Sequence, residues 1–103
     1  MSGTKSKASV TDKYIGDIRS YLRVSSTSTD DEIRDLIQAA RSDLILGGIK
    51  PSKTRSETDA LIKRAIGAYA KAEYGLDNPD SEKYRASYEN LKTRMSLSGE
   101  YKA

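Results

Sequence analysis

The chain contains no cysteine and no histidine. The first absence excludes disulfides and thiolate nucleophiles. The second removes the commonest metal ligand and the one side chain whose unperturbed pKa lies near neutrality. Catalysis needs a base poised near the working pH, an activated nucleophile, a metal or a cofactor loop, and none is visible. Serine and threonine are plentiful, but without histidine a triad lacks its ordinary base, and Gly47-Gly48 lacks the lysine and spacing of a phosphate-binding loop. Asp30, Asp31 and Glu32 are grouped acids, but the first turn of a helix collects acids for its dipole. The reading is therefore no enzyme, with no catalytic residues, no metal and no cofactor. Nor does any apolar run approach the ~18 residues that span a bilayer. The start, Met1 to Ser9, lacks the apolar centre of a signal peptide, so the expectation is a soluble cytoplasmic chain without membrane contact.

What is present is a chain of 103 residues, 36% hydrophobic and 32% charged, with a mean hydropathy of -0.70. That is the balance of one small helical domain with a thin core and a large wetted surface. The net charge is +3, and it is laid out in blocks. Residues 1–29 carry five basic and two acidic side chains, 30–49 two and five, 50–75 six and three, and 76–103 five of each. Opposed blocks suit a protein that meets a copy of itself or a partner through complementary patches, and they equally suit solvated helix faces.

Residues 1–9 are small, polar and basic, the composition of a flexible arm. From there Val10, Tyr14, Ile18 and Leu22 recur at i, i+4, with Ile15 and Tyr21 widening the stripe, which predicts a helix from about Thr11 to Arg23. The hydroxyl-rich run Ser25 to Thr29 breaks it. Thr29-Asp-Asp-Glu32 reads as a capping box, with Asp30 paired to Arg34, and opens a helix whose core stripe is Ile33, Leu36, Ile37, Ala40 and Leu44, flanked by Ile45 and Leu46. Gly47-Gly48 stops it. Residues 47–57 then form a long positive connection, through Lys50, Lys53 and Arg55, and long loops without structure of their own are often functional.

A third helix starts near Thr58-Asp59 and carries Leu61, Ile62, Ala65, Ile66, Tyr69, Ala70 and Ala72 before Gly75 ends it. Its alanines let neighbours approach closely, so it is the candidate central helix. Asn78 as N-cap and Pro79 at the first helical position open a fourth, along which Tyr84, Tyr88, Leu91 and Met95 share one face while Glu82 pairs with Arg85 and Glu89 with Lys92. Ser98-Gly99 closes it. No alternating apolar run predicts a strand. The expected fold is all-α: a small bundle of about four helices at residues 10–96, with the arm before it and a short C-terminal tail, 97–103, after it. All aromatic residues are tyrosines, seven of them. Tyr84 and Tyr88 suit a small core, whereas Tyr101 lies in a tail too short to bury it well, either as a partner contact or as a dangling residue.

The segment Asp59-Ala-Leu-Ile-Lys-Arg-Ala-Ile-Gly-Ala-Tyr-Ala-Lys-Ala-Glu-Tyr-Gly-Leu-Asp-Asn-Pro-Asp80, followed by Tyr84, Tyr88-Glu-Asn-Leu-Lys92 and Leu97-Ser-Gly-Glu-Tyr101, resembles the small head-tail connector proteins of long-tailed phages, also called adaptors or head-completion proteins. Tyr21-Leu-Arg23 and the acidic opening Asp31-Glu-Ile-Arg-Asp-Leu-Ile-Gln-Ala-Ala40 are similar as well. The likeness spans roughly residues 10–101, and the basic arm departs from it. It implies a structural virion protein that assembles with copies of itself as a ring, a dodecamer, between the portal protein and a stopper or tail-completion protein. Such a ring extends the DNA channel with transient DNA contact and completes the head for tail attachment. It implies residence at the head-tail interface of the virion, after assembly in the host cytoplasm. Under that resemblance Leu97, Glu100, Tyr101 and Lys102 are the candidate portal contacts. Ile49, Lys50, Lys53 and Arg55 are the candidates for the channel, the stopper or a neighbouring subunit.

Two other readings compete. A small helical DNA-binding regulator is suggested by the pI of about 9.1 and the basic loop. Its recognition helix would be the Ala-rich third one, whose basic set is only Lys63, Arg64 and Lys71, whereas base-reading helices group Arg, Asn or Gln in their first turns. A generic helical interaction module would bind one partner without forming a ring.

Overall fold

In the computed structural model, which describes residues 9–75 and 78–103, the first helix, α1 (Asp12–Leu22), is closed at both ends. Thr11 accepts a hydrogen bond from the Tyr14 amide at 3.1 Å. At the other end Arg23 adopts the left-handed conformation (φ 60°) and returns its amide to Ser20. Thr11 and Arg23 are thus caps rather than helical residues. The arm assigned to residues 1–9 lies, but for Ser9, outside the described residues, as do Leu76 and Asp77.

Helix α2 (Asp30–Leu46) corrects the expected capping box. The Thr29 backbone (φ -112°, ψ 21°) is not the extended geometry that turns a cap side chain onto the amides, and its hydroxyl instead meets the Tyr74 hydroxyl at 2.9 Å. Asp30 is also taken by a tertiary partner. Arg19 grips it with two hydrogen bonds, at 3.0 and 2.7 Å, while Arg34 pairs with Asp31. Ile33, Ile37, Ala40 and Leu44 are buried as expected, Leu36 and Ile45 are half-buried, and Leu46 is 86% exposed.

A short helix, α3 (Pro51–Thr54), interrupts the connection that the sequence leaves without structure. Pro51 sits at its start, where its missing amide costs nothing. Helix α4 (Ala60–Glu73) follows, capped by Asp59, whose carboxylate accepts from the Ile62 amide at 3.0 Å. It is the central helix, packed against α1, α2 and α5 (Ser81–Ser96). Leu61, expected in its core, is 43% exposed. Gly67 makes the α1 contact possible: a Cβ there would stand 2.8 Å from the Tyr21 ring.

The α4–α5 corner is also built differently from the expectation. Asp80, not Asn78, is the N-cap residue of α5, and Pro79 lies in the preceding turn. The Asn78 side chain is used to join the two helices: its amide donates to the Lys71 carbonyl at 2.6 Å and its oxygen accepts from the Asp80 amide. Ser81 donates to the Ala72 carbonyl at 2.8 Å. Arg85 pairs with Glu73 across this corner rather than with Glu82, because α4 is brought nearer than the next turn of its own helix. Glu89 and Lys92 do pair. Tyr88 is buried with its ring edge-on to Tyr69, and Met95 is buried below it. No strand occurs among the described residues, which show one isolated bridge, Ile49 with Lys102.

Candidate functional site: the tail and the 47–59 connection

The C-terminal end of α2, the start of α4 and the end of α5 meet at one pole of the bundle, and there the backbone closes on itself. Gly48 (φ 97°) makes the turn a side chain would resist. It aims Ile49 into the core, where it is fully buried. The Lys50 amide then donates to the Tyr101 carbonyl and the Ala103 amide to the Gly48 carbonyl, each at 2.8 Å. Tyr101 lies across this junction. Its ring is 7% exposed, and its hydroxyl donates to the Asp59 carboxylate (3.1 and 3.0 Å to the two oxygens), the group that caps α4. Burial first, and then this hydrogen bond, pushes the Tyr101 hydroxyl up to about 12. Lys53 seals the edge, 3.0 Å from Glu100 and over the Tyr101 ring at 5.2 Å.

The structure thus brings together the two groups of residues that the sequence separates. The tail and the connection form one surface. Two members must be corrected. Tyr101 is an internal strut, because a tail too short to fold alone is held by the 47–59 connection and by Asp59. Ile49 is a core residue, because the turn at Gly48 directs it inward. What faces solvent is Leu97 (77% exposed), Glu100, Lys102 and Arg55, with Lys50 and Lys53 half-buried beside them. Among the described residues Lys50, Arg55 and Lys102 have no ion-pair partner.

Two side-chain clusters that the sequence does not announce hold this pole in place. Asp43 accepts from Tyr88 (2.6 Å) and Lys92 (2.8 Å), pinning α2 to α5. Burial raises the Asp43 pKa, but the hydrogen bonds from Lys92 and Tyr88 outweigh it and hold the carboxyl below its usual range. Burial, and then the bond to Asp43, raises the Tyr88 hydroxyl. Glu57 is the second hub. It accepts from the Thr11 amide (3.0 Å) and hydroxyl (2.5 Å), and Arg41, buried, approaches it at 3.5 Å. Partners 16 and 46 residues apart leave no local signal for such contacts.

The basic residues of α4 do not form a reading face. Lys63 is drawn to Asp17 at 2.8 Å, Lys71 lies over the Tyr84 ring at 4.9 Å, and only Arg64 is exposed. With Lys63 and Lys71 engaged within the subunit, α4 presents a single exposed basic residue, Arg64, rather than the grouped Arg, Asn or Gln of a base-reading face. No helix among the described residues is long and apolar enough to cross a membrane.

None of the curated proteins or solved structures compared with the chain matches it. A family model described as phage connector protein matches residues 15–102, which takes in nearly all of α1, every later helix and both halves of the polar surface just described. With a match across most of its length, the chain belongs to the phage connector protein family, the head-tail connectors of bacteriophages.

Proposed function

We propose that this chain is a structural, non-catalytic subunit of the virion that assembles as a ring between the portal protein and the stopper or tail-completion protein. The ring lengthens the DNA channel and completes the head for tail attachment. The observation that carries this reading is the family match over residues 15–102. The surface around Leu97, Glu100, Lys102, Lys50 and Arg55 is the docking face for the portal or stopper, with the tail and the connection acting as one unit. Contact with channel DNA is weak and transient, because each neutralised phosphate releases counterions and would slow a duplex that has to slide.

The test is electron microscopy of lysates from a phage with an early stop codon in this gene. Separate tails beside empty or leaking heads are expected, and normal infectious particles would overturn the proposal. A finer test replaces Leu97 by Asp and Lys102 by Glu together, both on the surface. Tail joining should fail while the purified variant keeps the wild-type melting temperature. Wild-type titre from that variant would refute the docking face and leave the connector role standing.

A further inference from the structure

Next to the tail, an open groove of about 480 Å³ runs between α4 and α5, over Leu61, Leu91 and Met95. It has a polarity. Leu61 and Met95 supply its apolar end, where Arg94 also lines it, and Arg64 carries it on into a second depression that reaches Lys71. Its α5 wall extends from Ser87 to Ser98, roughly 16 Å at helical rise.

The outer face of α2 has the matching order. Leu46, 86% exposed, stands at its C-terminal end, and Asp35 lies eleven residues earlier, roughly 16 Å away, with Glu32 one turn beyond. Between them the exposed residues are the small Ala39 and Ser42, with Gln38 partly exposed at the edge of the face, so the middle of the face lets another helix approach. Neither Glu32 nor Asp35 has an ion-pair partner among the described residues, and neither does Arg64. This face points away from the core stripe of α2, so it and the groove are different surfaces of one subunit.

We infer that the groove receives the α2 face of a second copy of this chain. Leu46 of one copy covers the Leu61–Met95 end, and its Asp35 and Glu32 meet Arg64 and Lys71 at the other. The neighbour's α2 then runs parallel to α5. Since the two surfaces differ, the contact is head-to-tail and repeats around a ring. The inference rests on the ring reading above and names the faces that build it.

The absence of cysteine makes the test clean. In the full chain, Ala39→Cys with Asn90→Cys, treated with a short bismaleimide at high protein concentration, should give a ladder of trimers and larger species. Ala39→Cys with Ser25→Cys, a pair outside the groove, should stop at dimers. Adding Asp35→Arg or Arg64→Glu to the first pair should weaken the ladder about tenfold, the change a modest like-charge contact produces. Mixing those two variants in equal amounts, or combining both substitutions in one chain, should restore it. Restoration excludes misfolding as the cause of the loss. No ladder from the groove pair, or a ladder unaffected by the charge reversals, overturns the assignment of faces. If the stop-codon phage still lacks joined tails, the connector role survives that result. Normal particles from the stop codon overturn the role itself.

Discussion

Replacing Tyr101 by Phe removes one oxygen and tests whether the tail is a strut of the fold. The hydroxyl is buried and donates to the Asp59 carboxylate, which keeps its bond from the Ile62 amide when the phenol is lost. A hydrogen bond to a charged group contributes ~1.5–3 kcal/mol. Because Asp59 is half-buried and water can partly replace the phenol, the expected loss is about 1–2 kcal/mol. In a domain of this size that lowers Tm by roughly 5–12 °C. Tyr101→Ala also empties the ring's site and should cost about 3–5 kcal/mol, a large part of the ~5–15 kcal/mol that holds a domain together. The pH dependence has a definite sign. The hydroxyl has a raised pKa in the folded chain, about 12, so its contribution is complete below its unfolded value near 10 and is lost as the pH rises through 10 to 12. The gap between wild type and Tyr101→Phe in denaturant titrations should therefore be constant from pH 6 to about 9 and shrink above about 10. A Tyr101→Phe variant within about 0.5 kcal/mol of wild type at pH 7, the range of an inert surface change, would refute the Tyr101–Asp59 hydrogen bond as a strut of the tail.

Other consequences are as direct. Gly67→Ala gains helix propensity but drives its Cβ into the Tyr21 ring, so it should lose about 1 kcal/mol or more by thermal melting, and Tyr21→Ala in the same chain should relieve that clash. Asp43 has a lowered pKa in the folded chain, so its stabilisation is present above pH ~4 and fades as the pH falls; Asp43→Asn should be less stable at neutrality and flatter on the acid side in pH-dependent denaturation. Glu57→Ala leaves the Arg41 guanidinium buried without its carboxylate and should destabilise by about 3 kcal/mol in urea titrations, whereas Glu57→Gln, which still accepts from Thr11, should lose less.

Most of the fold is local in origin and was legible on that account. In the i, i+4 stripe Val10, Tyr14 and Ile18 bury as read and Leu22 is half-buried against the core, Asp59 caps α4, and the alanines of α4 make it the helix around which α1, α2 and α5 pack. Spacing and propensity act within a few residues, so they can be read along a line. The errors fall where a tertiary partner competes with a local one. Thr29 gives its hydroxyl to Tyr74 instead of a cap, Asp30 goes to Arg19 instead of Arg34, and Arg85 goes to Glu73 instead of Glu82. The local bonds were chemically available in each case. What decided against them was which residues the bundle brought near.

The polar surface at the pole of the bundle shows the same division. Its residue types, a leucine among charges in a short tail and a basic connection, were visible in the sequence, and so was the family. That the tail and the connection are a single surface, with Tyr101 and Ile49 inside it and Leu97, Lys102 and Arg55 outside, was decided by hydrogen bonds that span 42 to 55 residues. A sequence determines which side chains can be buried or charged; only the closing of the chain decides which of them share a side.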